Sequence, residues 1–108
     1  RISIGSEDTA YSIYHKLISL FVENFFKAFT LLIDGYNGNA QSGKASYYSR
    51  DLPYNGKLKI NEVSFEEAAQ FVKALYFPPH KGAIFEIEKN LEVEVNSIDD
   101  LKNIIKKL

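Results

Sequence analysis

"SFEEAAQFVKALYFPPHKGAIFEIEKNLEVEV", residues 64–95, carries the two periodicities that decide the fold. In its first half Phe65, Ala68, Ala69, Phe71, Val72 and Leu75 recur at helical spacing. Ser64 is followed three residues later by Glu67, a capping box in which each side chain serves the other residue's free backbone N–H. Pro78-Pro79 stops the helix, because proline disfavours a helical residue before it. The period then changes to two. "GAIFEIE" (82–88) and "LEVEV" (91–95) alternate apolar and charged residues, and Lys89-Asn90 joins them as a hairpin.

Outward from this stretch, Ser97 with Asp100 opens a short amphipathic helix, "SIDDLKNIIKKL", whose lysines lie at the end favoured by the helix dipole. Upstream, "KLKI" (57–60) is a strand with Leu58 and Ile60 on one side, and "ASYYSR" (45–50) reads as another short strand. "GYNGNAQSGKAS" (35–46) is a Gly/Asn/Ser-rich connection. Before it a helix runs from about Thr9 to Ile33 and ends at Gly35. One stripe of that helix holds Ile13, Leu17, Leu20, Phe21, Asn24, Ala28 and Leu31. A second holds Tyr14, Ile18, Phe25, Phe29 and Leu32, so burial over more than half the circumference is expected. Ile2 and Ile4 alternate with Arg1 and Ser3 as the end of a strand, with Ser6 or Asp8 as the helix cap. The order is strand, long helix, strand, strand, helix, hairpin, helix, an α+β arrangement.

The 108 residues allow one domain or part of one. A net charge of −1 argues against general binding to nucleic acid or to an anionic membrane. There is no Cys, hence no thiolate nucleophile and no Cys-based zinc site. The longest apolar run is far shorter than a membrane span, and no signal pattern opens the chain. Met is absent even at position 1, so something is expected to precede Arg1.

No constellation able to run a reaction emerges. His15 falls in mid-helix, where histidines are mostly solvated or packed, and His80 follows Pro79 in a loop. No His pair or carboxylate cluster has metal-ligand spacing. "SRDLPYNGKLKI" (49–60) is more open. Pro53-Tyr54-Asn55-Gly56 is a good β-turn if the turn begins at Leu52. It also sets a forked cation at Arg50 near a flat aromatic at Tyr54 and a close-approach glycine at Gly56. As plain structure, Arg50 would pair with Asp51 or a nearby Glu, and Tyr76 and Phe77 would be core.

"EDTAYSIYHKL" (7–17), "YYSRDLPYNGKL" (47–58) and "AAQFVKALYFPPHKGAIFE" (68–86), in that order, resemble the C-terminal half of sugar-nucleotide N-formyltransferases, nearest to enzymes acting on dTDP-4-amino-4,6-dideoxyhexoses. The resemblance covers roughly residues 2–88. It implies a C-terminal portion whose Rossmann-like catalytic core is missing. Residues 1–35 would then end the core, and residues 36–108 would form a C-terminal subdomain. The family passes a formyl group from N10-formyltetrahydrofolate to an amine through Asn, His and Asp residues that would precede Arg1. Neither a catalytic residue nor a cofactor of its own is therefore expected in this chain. By resemblance, Arg50, Tyr54, Asn55 and Gly56 meet nucleotide or pyrophosphate, and Tyr76 and Phe77 cover the base. The implied partners are a nucleotide-linked amino sugar, with dTDP favoured, and a second copy of the chain. No nucleic acid, membrane or metal partner is expected. The implied setting is cytoplasmic synthesis of a surface polysaccharide. Two alternatives stay open, a methionyl-tRNA formyltransferase-type fragment and a non-enzymatic dimerisation domain.

Overall fold

A computed structural model describes residues 1–108. Three strands form one sheet in the order β1-β2-β3, with β1 Lys57–Lys59, β2 Ala83–Glu88 and β3 Leu91–Val95. β1 runs parallel to β2, pairing Leu58 with Phe85, so the chain must cross over between them. The crossover carries helix α2, Phe65–Leu75. β2 and β3 are the expected antiparallel hairpin, with Asn90 at φ +68° in its turn. Helix α3, Ile98–Lys106, closes the chain, and the Ser97 side chain accepts from Asp100 N–H. The Ser64/Glu67 capping box is present at both of its hydrogen bonds. These elements bear out the small α+β fold.

The core lies where α2 and α3 cover one face of the sheet. Phe71 and Val72 of α2 and Leu101 of α3 meet Phe85 and Ala83 of β2 and Val95 of β3. The alternation along β2 dictates this, because Ala83 and Phe85 point inward while Glu88 stays in water. No polar or charged residue is buried.

Helix α1, Ala10–Ile33, stands apart. Its cap is Thr9, not Ser6 or Asp8. Thr9 has extended backbone angles, its hydroxyl accepts from Ser12 N–H, and Ser12 Oγ accepts from Thr9 N–H. Asp8 instead takes the Gly5 N–H, Ser12 Oγ and Lys16 Nζ at 2.7, 2.7 and 2.6 Å. At the far end Gly35 adopts φ +89°. Its N–H donates to Leu32 C=O, and Tyr36 N–H donates to Leu31 C=O, the paired bonds of a left-handed helix stop.

The expected burial of α1 is not met. None of its residues is buried, with Phe21 at 66% and Phe26 at 70% exposure. Only its first turns reach the body, so the molecule extends over 63 × 27 × 22 Å. Its radius of gyration is 19.3 Å, against about 13 Å for a compact chain of this length. The apolar residues cover roughly two thirds of the helix circumference at 100° per residue, leaving one polar stripe through Ser12, Lys16, Ser19, Glu23 and Lys27. No helix is long and apolar enough to cross a membrane.

Two expected strands do not form. Residues 1–5 and 45–50 contain no strand, because alternation alone makes no ladder and no neighbouring segment offers its backbone groups there. Tyr47 and Tyr48 are almost wholly exposed.

Candidate functional site

The turn before β1 is conformationally unusual. Asn55 N–H donates to Leu52 C=O at 3.0 Å, so the turn begins at Leu52 and places Pro53 second, where its fixed φ fits. Tyr54, Asn55 and Gly56 then occupy the left-handed region in succession, at φ +53°, +56° and +77°. Asn tolerates this and Gly is indifferent to it, but Tyr pays about 1–2 kcal/mol in Cβ–carbonyl crowding. Lys57 N–H donates back to Tyr54 C=O and leads into β1. Gly56 is buried, and a Cβ there would press on Leu52 Cδ1 at 3.4 Å.

This conformation aims the Tyr54 ring at α2. It meets Phe71 edge-on at 6.3 Å between ring centres while remaining 73% exposed. Phe71 in turn rests edge-on against the buried Phe85 at 6.0 Å, so the wall facing Tyr54 is fixed by the core. Between the turn, β1 and α2 lies a cleft of about 530 Å³. Leu58, Val63 and Ala74 complete its apolar lining, and Lys59, Glu62, Glu67 and Gln70 supply the polar groups. Glu67 is engaged by the α2 cap. Lys59 Nζ and Glu62 Oε1 stand 3.9 Å apart, a loose pair of exposed groups.

Arg50 precedes the turn in open solvent. Asp51 does not pair with it; Asp51 accepts from Ser49 Oγ at 2.9 Å, and Arg50 enters none of the chain's ion pairs. Its guanidinium is therefore free for an anion.

Tyr76 and Phe77 lie elsewhere. α2 ends at Leu75, and these two half-buried rings face α1. Tyr76 meets Tyr11 at 6.1 Å, while Phe77 meets Tyr11 at 5.8 Å and Tyr14 at 5.1 Å. Tyr11 N–H donates to Tyr76 C=O at 3.0 Å. The six residues singled out in the sequence thus fall into two groups. Tyr54, Asn55 and Gly56 lie in the turn with Arg50 just ahead of it, and Tyr76 and Phe77 join α1 to the body. Phe71, Lys59, Glu62 and Gln70 join Tyr54 at the cleft. In the sequence Phe71 carried only the signal of a helix face, and the other three carried none.

A second cleft, about 640 Å³, runs between residues 6–9, α2 and α3. Lys73 already reaches across it to Ser6 C=O at 2.8 Å, and Glu7 and Asp99 line it together with Lys73 and Lys102, so its charges are of both signs. No group of His and carboxylate residues is arranged to hold a metal ion.

No protein-family profile matches the chain. It is 33% identical, over 98% of its length, to the GDP-perosamine N-formyltransferase of Brucella melitensis biotype 1. The GDP-perosamine N-formyltransferase of Brucella abortus (strain 2308) matches it equally well. The chain spans 40% of the length of these relatives. The similarity bears out the resemblance carried by residues 2–88 and extends it to nearly the whole chain.

Proposed function

We propose that this chain, a relative of the sugar N-formyltransferases over 98% of its length, is the part of such an enzyme that grips the sugar nucleotide. The observation that carries the reading is Tyr54, held left-handed at the mouth of an aromatic-walled cleft with Arg50 unpaired nearby. Backbone strain of this kind persists where the surroundings enforce it, and it collects at ligand sites. The ring offers an apolar face to a base, its hydroxyl and the Asn55 amide offer hydrogen bonds, and Arg50 offers a fork to pyrophosphate.

In this reading the formyl group comes from N10-formyltetrahydrofolate, and its transfer is the work of residues outside this chain. Residues 1–35 complete the catalytic core and residues 36–108 form the subdomain that bears the turn. The exposed apolar arc of α1 is covered by the rest of the enzyme and by a second copy in a homodimer. The product is an N-formylated amino sugar destined for a surface polysaccharide, made in the cytoplasm. Tyr76 and Phe77 fix the angle of α1 instead of covering the base. The resemblance in the sequence favoured dTDP, whereas the relatives carry GDP in their names. The two agree on a nucleotide-linked amino sugar.

The test is made in the full-length protein. Tyr54→Ala or Asn55→Ala should weaken sugar-nucleotide binding about tenfold and leave folate binding unchanged, as expected for the loss of one aromatic or hydrogen-bonded contact. Equal loss of both ligands, or no loss of either, would contradict the assignment.

A further inference from the structure

We infer that the cleft between the Tyr54 turn and α2 selects guanine over thymine or uracil, through the pair Lys59 and Glu62. The inference rests on the nucleotide-binding reading above and specifies its base. Aromatic stacking is tolerant, because every base has a π-face, so Tyr54 and Phe71 set where a ring lies without choosing which ring. The choice falls to the polar groups at the rim.

Four polar residues line the cleft. Glu67 is held by Ser64 N–H at 3.2 Å and serves the helix cap. Lys59 and Glu62 line the cleft with a cation and a carboxylate 3.9 Å apart and largely exposed, too loose to satisfy each other. Gln70 lines the same cleft and makes no side-chain hydrogen bond within the chain.

The pairing edge of guanine presents an acceptor (O6) followed by two donors (N1–H and the N2 amino group). Thymine and uracil present acceptor, donor, acceptor. Adenine presents a donor and then an acceptor. An ammonium beside a carboxylate matches guanine in that order. Lys59 donates to O6, and the two Glu62 oxygens accept from N1–H and N2–H, a two-bond contact to a charged acceptor. With thymine or uracil the same carboxylate would face O2, acceptor against acceptor, leaving one Glu62 oxygen unpaired beside a lone pair. With adenine the ammonium would face the N6 amino group, donor against donor. A two-bond contact of this type discriminates between bases by tenfold or more.

The experiment is titration calorimetry of the full-length protein with GDP and with dTDP. GDP should bind at least about tenfold more tightly than dTDP. Glu62→Ala should abolish most of that preference by weakening GDP about tenfold while leaving dTDP unchanged or slightly tighter. Glu62 is exposed on a short turn, so this variant should keep its fold, which the unchanged dTDP affinity itself reports. Equal affinity for the two nucleotides in the unaltered protein, or parallel weakening of both by Glu62→Ala, would overturn guanine selection. Tyr54→Ala separates the two levels. If it weakens both nucleotides while Glu62→Ala fails to discriminate, the cleft binds nucleotide and only the base assignment is wrong. If it affects neither nucleotide, the cleft is not the nucleotide site and both readings fall.

Discussion

The Tyr11 N–H donates to Tyr76 C=O at 3.0 Å, and the two rings meet edge-on at 6.1 Å. This joint, with Phe77 against Tyr11 and Tyr14, ties a 24-residue helix to a core of eight buried residues. A lever about 36 Å long is thus held mainly at one end. Phe77→Ala should cost about 2 kcal/mol, less than for a fully buried Phe. Amide hydrogen exchange should rise over the first turns of α1 while β2 and β3 stay protected. Equal loss of protection in the hairpin would show that Phe77 belongs to the core instead.

The strain at Tyr54 makes stability and binding separable. Tyr54→Asn keeps a residue that tolerates positive φ and removes the ring, so the fold should be unchanged or up to about 1 kcal/mol more stable. Nucleotide affinity should fall. Denaturant unfolding checks the first outcome and calorimetry the second; a variant that is clearly less stable would mean that the ring supports the fold. Gly56→Ala should act oppositely and destabilise, since φ is +77° there and the site is buried.

Asp8 links the residues before α1 to its first turns. The hydrogen bond from Lys16, then that from Gly5 N–H, then that from Ser12, lower its carboxyl from 3.8 to about 2. A lowered folded-state value stabilises the fold above the ordinary carboxylate range, and that contribution disappears as pH falls through the folded value. The melting temperatures of the native chain and Asp8→Asn should therefore differ at neutral pH and converge between pH 3.8 and 2. A constant difference across that window would remove Asp8 from the account.

The apolar arc of α1 should make the 108-residue chain self-associate when prepared alone. Sedimentation should show mass rising with concentration, and Phe21→Ser with Phe26→Ser should reduce it. A monodisperse monomer at all concentrations would contradict the covering surface assigned to this helix.

Local signals were legible where a residue's role is set within a few positions. Ser64 and Glu67 cap α2, Lys89-Asn90 turns the hairpin, Gly35 stops α1, and Ser97 opens α3. Strands at 1–4 and 45–50 were misread because a strand exists only with a neighbour, which alternation cannot supply. Ile2 and Tyr47 have the right residue types and no ladder to join. The burial of α1 was overestimated for the same reason, since its stripes state a need for cover and not its presence. In the site, Tyr54 was visible as part of a turn, but its left-handed backbone follows from the bonds of Asn55 to Leu52 and of Lys57 to Tyr54. The joining of Gln70, Phe71 and Ala74 to that ring needs α2 to fold back over the turn, a packing that no short window of sequence states.

The most direct measurement is a transfer assay on the full-length protein with N10-formyltetrahydrofolate and nucleotide-linked amino sugars, reading product by mass spectrometry. The account expects an N-formylated sugar nucleotide, with formation slowed by Tyr54→Ala mainly through a raised KM for the sugar nucleotide. Formylation of a non-sugar amine such as an aminoacyl-tRNA, with every amino-sugar nucleotide left unmodified, would contradict it.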